Sequence, residues 1–208
     1  LLDVKLEIEE EEDRLSTPDA VMYFDLGSPY AYLALSRAEL VLGVRPELRP
    51  VLLGAIFARR GFGSWAHTQA REGRVAEIEQ RARRYGLPPV RWPAGWPGDG
   101  LVAMRCATWV HQQGRGEAFA RAVFDRQFVE GEDIADREML LACARDADLD
   151  AEALSSALGQ SAVKDSLREA TDRAWEAGVR GVPTLGTGGS LFYGDDQLEL
   201  AADALARR

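Results

Sequence analysis

VMYFDLGSPYAYLAL, residues 21–35, is the stretch on which the fold turns. Its opening reads as a buried strand over 21–26, after which Gly27-Ser28-Pro29 starts a helix over 28–42 that Gly43 stops. Serine followed by proline is an ordinary helix start: the hydroxyl caps an orphan N–H, and proline fits the first turn with no donor to lose. Position adds a second reading. Ser28 lies at the carboxyl end of a strand, where open α/β sheets place ligands, and at a helix end whose dipole favours an anion.

Outward from this stretch, a second Val- and Leu-rich strand is expected over 48–53, completing a β-α-β unit with a parallel pair. The texture then becomes helical, with apolar residues at three-and-four spacing over 69–85, 103–113, 117–128, 137–147, 151–158 and 162–177. GLPPVRWPAGWPGDG, residues 86–100, holds four prolines and four glycines and excludes regular structure. Strand character returns in VPTLGTGGSLFYG, a β-hairpin about a Thr-Gly-Gly turn, and a last helix is expected over 196–205. These blocks spell an α/β, thioredoxin-like fold: an acidic extension (1–18), a thioredoxin-like domain (19–54 and 179–208) and a helical insertion (55–178) between the β-α-β unit and the C-terminal hairpin plus helix. Leu2, Val4, Leu6 and Ile8 alternate with charge, offering either an edge strand able to reach a partner or a frayed tail.

A formal net charge of −9 on 208 residues argues against nucleic acid or an anionic membrane as partner. Cys106 and Cys143 fall inside helical patterns, in neither Cys-x-x-Cys nor metal-ligand spacing, and His67 and His111 are the two histidines, so no metal is expected. With no apolar run near 18 residues and no leader pattern, a cytoplasmic setting is expected. Asp25 is either a proton-handling carboxylate or a strand-end acid paired with backbone amides. Trp65, Trp92 and Trp96 either wall an apolar pocket or simply pack. His67, Arg59 and Arg60 either bind an acidic substrate or form a solvated basic face. A hydrolase reading of Ser28 finds no Gly-x-Ser-x-Gly elbow.

YFDLGSPYAYLAL, RPVLLGAIF, GLPPVRWP and GVRGVPTLGTGGSLFYGDDQLEL, in this order, resemble the 2-hydroxychromene-2-carboxylate isomerases, relatives of kappa-class glutathione transferases in the DsbA-like branch of the thioredoxin superfamily. The likeness runs from Val21 to the C-terminus. It implies glutathione, or another low-molecular-weight thiol, as cofactor, with its thiolate activated by Ser28. The cysteinyl backbone would pair with Val182 before a cis Pro183, and the γ-glutamyl end would meet Gly194-Asp195-Asp196, with Asp196 receiving the ammonium. It implies further a small electrophile, an aromatic-derived conjugated acid to which the thiolate adds reversibly, and a homodimer. Phe62, Trp65 and Asp99 are expected on the acceptor side. There the sequence departs from the family pattern: Gly61-Phe62 stands for Gly-Asn, and Asp99-Gly100 for Asn-Ser. Redox members carry Cys-x-x-Cys where this chain reads Ser28-Pro29-Tyr30-Ala31. The rival readings are therefore a disulfide oxidoreductase-like protein without the dithiol and a peptide- or ligand-binding module.

Overall fold

The structure is a computed structural model that describes residues 19–207; the alternating segment Leu2 to Ile8 lies outside the described residues. Strand β1 (Val21–Phe24) places Met22 and Phe24 in the core, as strand alternation requires. Helix α1 (Pro29–Leu42) begins at the Ser28 cap and ends at Gly43, whose φ of 71° suits a residue without a side chain. Strand β2 (Glu47–Pro50) runs parallel to β1 with Val21 opposite Glu47. Far along the chain, β3 (Thr184–Thr187) and β4 (Ser190–Tyr193) form the expected hairpin, and β3 pairs antiparallel with β1. The four-stranded sheet has the order β2-β1-β3-β4.

The second strand is shorter than the expected 48–53, because helix α2 (Leu53–Arg60) begins at Leu53. The cause is side-chain capture of the backbone: Thr171 Oγ1 accepts from Leu52 N–H at 3.0 Å and Asp25 Oδ2 from Leu53 N–H at 2.8 Å, so neither amide is left for a ladder. After a 3₁₀ turn at Trp65–His67 come α3 (Arg71–Arg84), α4 (Leu101–Gln112), α5 (Gly116–Asp125), α6 (Arg137–Asp146), α7 (Ala151–Ala157) and α8 (Ser161–Glu176). A π turn at Arg126–Glu130 continues α5, and a 3₁₀ turn at Asp195–Gln197 precedes the last helix, α9 (Leu198–Ala206).

Helices and sheet share one hydrophobic cluster, in which Phe24 meets Phe124 edge-on at 6.4 Å and Tyr32 meets Phe128 at 5.4 Å. Burying each such ring contributes roughly 1.5–3 kcal/mol. The irregular 86–100 segment is pinned to this core. Arg91 N–H donates to Phe128 C=O at 2.8 Å, and Trp92 Nε1 donates to Glu79 at 3.0 Å. The end of β1, the start of α1, the residues before β3 and the loop after β4 thereby converge on one cavity, with α2 and α3 along its sides.

Candidate active site

The cavity measures about 700 Å³, and Ser28 is on its floor. Ser28 is 4% exposed; its Oγ accepts from Ala31 N–H at 3.3 Å, so it caps α1. Capping uses the oxygen as acceptor and leaves the hydroxyl hydrogen, which has no acceptor among the described residues, free to donate. A donor at a helix N-terminus suits a sulfur anion, because both the hydrogen bond and the helix dipole favour the charged form.

Val182 and Pro183 line the same cavity, joined by a cis peptide bond; Trp96-Pro97 is also cis. Val182 is buried, yet neither its N–H nor its C=O has a hydrogen-bond partner among the described residues. Buried backbone groups are almost always paired, so an open pair on a residue that lines a cavity leaves an edge available to an extended ligand. That observation fits the cysteinyl backbone of a thiol peptide. Gly181, just before it, has Tyr193 packed so closely that a Cβ would come within 2.6 Å of the ring, so any side chain there would displace Tyr193 from the cavity wall.

The loop after β4 supplies the acids. Asp195 is fully buried, with Oδ1 receiving Arg81 at 2.7 Å and Oδ2 receiving the Tyr85 hydroxyl at 2.9 Å. Both of its oxygens are thus engaged within the protein, and it anchors Arg81 at the cavity. Asp196 is half exposed beside the cavity, 3.3 Å from Arg81, and is the carboxylate open to an incoming ammonium. Burial alone would lower the Arg81 pKa, but Asp195, Asp196 and Glu77 outweigh it and hold the guanidinium above its ordinary value. Glu77 also binds Arg74 at 3.0 Å, so α3 presents a polar stripe at Arg74, Glu77 and Arg81 to the cavity.

Phe57, Phe62, Trp65 and Trp96 form the apolar wall. Trp65 and Trp96 meet at 5.4 Å, and Trp92 backs Trp96 at 4.6 Å without lining the cavity. Asp99 is placed differently from the sequence expectation: it is not among the lining residues, and its Oδ1 accepts from Leu101 N–H at 2.9 Å to start α4. The Gly100-Leu101 helix start makes that local bond available, and a short carboxylate takes it. Arg59 pairs with Asp172, and neither it nor His67 lines the cavity.

Asp25 sits beneath Ser28 without lining the cavity, accepting from Gly27 and Leu53 N–H at 2.8 Å each. Burial pushes its pKa from 3.8 up to about 6, against the pull of those two amides. The folded value exceeds the unfolded one, so the folded state binds the extra proton between them. The associated stability is present in full below about pH 3.8 and is lost as pH rises through about 6. The difference corresponds to about 3 kcal/mol. Melting temperatures measured from about pH 4 to about pH 7 are expected to fall across this window in the wild type and to fall less in Asp25→Ser; parallel curves would contradict the assignment. The thiols of Cys106 and Cys143 are buried and pushed up to about 12, chiefly by desolvation, so neither is a nucleophile near neutral pH. Among the described residues no cluster of side chains could hold a metal ion.

Of the residues singled out from the sequence, the structure gathers Ser28, Arg60, Phe62, Trp65, Trp96, Val182, Pro183, Asp195 and Asp196 around one cavity. Tyr30, Phe57 and the stripe of α3 join them there without a sequence signal that marks them for the site. The stripe was signalled only by its i, i+3, i+7 spacing, which a solvated helix face shares.

Residues 20–206 match the family described as the DSBA-like thioredoxin domain. The chain is 30% identical over 184 residues to 2-hydroxychromene-2-carboxylate isomerase of Sphingobium xenophagum, covering 85% of this chain and 92% of that relative. Against glutathione S-transferase kappa 1 of Homo sapiens it is 26% identical over 205 residues, 90% of each chain. In three dimensions it resembles a solved 2-hydroxychromene-2-carboxylate isomerase with a TM-score of 0.80 at 24% identity, over 90% of this chain and 94% of the other.

Proposed function

The chain belongs to the DSBA-like thioredoxin family, in the branch of the 2-hydroxychromene-2-carboxylate isomerases and kappa-class glutathione transferases, and from that premise we propose that it is a glutathione-dependent isomerase or transferase acting on a conjugated, aromatic-derived acid. The observation that carries the reading is the pairing of a free hydroxyl donor at Ser28 with the open backbone of Val182 across the same cavity.

Bound there, glutathione would supply a thiolate that adds reversibly to a conjugated acceptor, allowing a double bond to rotate as a single one before elimination restores it. The residues of this chain do the rest. Ser28 donates its hydroxyl to the sulfur and keeps the thiol ionised near neutral pH. Val182 offers one N–H and one C=O to the ligand backbone and fixes its direction. Asp196 receives the ammonium, held in place by Arg81, which is bound by Asp195, itself fixed by the Tyr85 hydroxyl. Phe57, Phe62, Trp65 and Trp96 exclude water from the acceptor and give a flat ring a surface to lie against.

A dithiol-exchange reading has no support at this site. Ser28 and Ala31 occupy the positions a redox pair would need, and both cysteines are buried elsewhere.

Calorimetric titration with glutathione tests the proposal. Saturable heat is expected at one site per chain, with weaker binding of S-methylglutathione, which has no ionisable thiol. Conversion of 2-hydroxychromene-2-carboxylate in the presence of glutathione is the matching activity test. Absence of both heat and thermal stabilisation at millimolar glutathione would remove the thiol from the mechanism.

A further inference from the structure

The cavity is lined by three guanidinium groups whose surroundings differ. Arg81 is met by Glu77, Asp195 and Asp196, and Arg74 by Glu77. Arg60, the last residue of α2, has no carboxylate partner among the described residues. It is nevertheless held in position. Its Nη1 donates to the Arg180 carbonyl at 2.7 Å, and its guanidinium lies over the Phe62 ring, 4.4 Å from the centroid. Phe62 is steadied by Phe57, ring to ring at 5.5 Å. Arginine carries five N–H donors, so most of this group's hydrogen-bonding capacity remains available to a ligand. The adjacent Arg59 differs, being neutralised by Asp172 outside the cavity.

The location of this cation along the ligand groove gives it meaning. Pro183 C=O binds Gly194 N–H, which joins that end of the 180–183 segment to the Asp196 loop. Arg60 grips Arg180 at the other end, with Val182 between. A tripeptide thiol pairing with Val182 and placing its ammonium at Asp196 therefore directs its terminal carboxylate toward Arg60. Resting on the thiol-site reading above, we infer that Arg60 is the specificity-determining residue for the cofactor: it receives the glycyl carboxylate and selects an anionic tripeptide thiol over a thiol without that charge. The Asp196 end recognises a cation and the Arg60 end an anion, so the groove matches the ligand's polarity as well as its length.

The test compares glutathione with its glycyl monoethyl ester, which differs only in the masked carboxylate, by calorimetry on the full chain. Wild type is expected to bind glutathione about tenfold more tightly than the ester, a charge-assisted contact at a half-open site. Arg60→Gln is expected to bind both at the level of the ester, Arg60→Lys to retain part of the preference, and Arg59→Gln to behave as wild type. An Arg60→Gln variant that keeps the full preference, with an unchanged melting temperature, overturns the assignment of Arg60 while leaving the thiol site standing. Failure of wild type to bind either compound overturns the thiol site, and the role of Arg60 with it.

Discussion

Ser28→Ala is expected to lower kcat/KM for the thiol-dependent reaction by a factor of about 10²–10³, the usual cost of losing one donor aimed at a developing or resident anion. The hydroxyl has two duties, and they can be separated. As a cap it accepts from Ala31 N–H, and losing that bond costs about 1 kcal/mol of stability. As a donor it holds the sulfur anion. Ser28→Asn keeps a good cap while moving the donor, so it is expected to melt like wild type yet remain impaired in turnover. The thiolate absorbance of bound glutathione, followed against pH, gives a readout independent of the acceptor. Its apparent pKa is expected to rise toward that of free thiol in Ser28→Ala. An unchanged titration in that variant would mean that the helix end alone ionises the sulfur and that Ser28 is merely a cap.

Arg81→Met carries the largest expected effect on stability, about 3 kcal/mol, because it leaves the fully buried Asp195 without its cationic partner, the Tyr85 hydroxyl being the side-chain contact that remains. Burial raises the Asp195 pKa, and Arg81 and Tyr85 oppose it; without Arg81 the burial effect is left with less to resist it. For a domain of this size the loss corresponds to a fall in melting temperature of about 10 °C. Replacing both partners, as in Arg81→Met with Asp195→Leu, is expected to recover a good part of the loss, since no buried charge is then left alone. A single-variant loss below about 1 kcal/mol would show that Arg81 behaves as a surface pair, with Glu77 and Asp196 as its real partners. The same substitution frees Asp196, so weaker glutathione binding should accompany the lower stability.

The start of the fold was legible because its signals are local. An apolar run, a Gly-Ser-Pro start and a glycine stop lie within 23 residues of one another, from Val21 to Gly43, and each has one structural meaning. The hairpin announced itself equally through Gly188-Gly189, both at positive φ in the turn. Helix α2 is not legible in the sequence because its first amides are claimed by Asp25 and Thr171, residues 28 and 119 positions away, which no local pattern contains. The candidate site shows the same division. Ser28 and Pro183 declare themselves by their local setting and by family likeness, and Phe62 and Trp65 reach the cavity as expected. The pairing of Arg81 with Asp195 joins residues 114 apart and rests wholly on tertiary structure. Asp99 shows the opposite case: it lies off the cavity lining, and a local bond to Leu101 N–H engages its carboxylate.

β1 lies inside the sheet, with β2 on one flank and β3 on the other. The first of these neighbours follows within about 30 residues, whereas Thr184 comes 163 residues after Val21. At ribosomal speeds of about 5–20 residues per second, one side of β1 waits roughly 8–30 s for its pair. During synthesis the nascent chain thus presents an unzipped ladder edge, a template for misassociation with a neighbouring polypeptide. Premature termination anywhere before the hairpin is expected to yield aggregate rather than a smaller folded protein, and any chaperone that guards this chain has that interval in which to act.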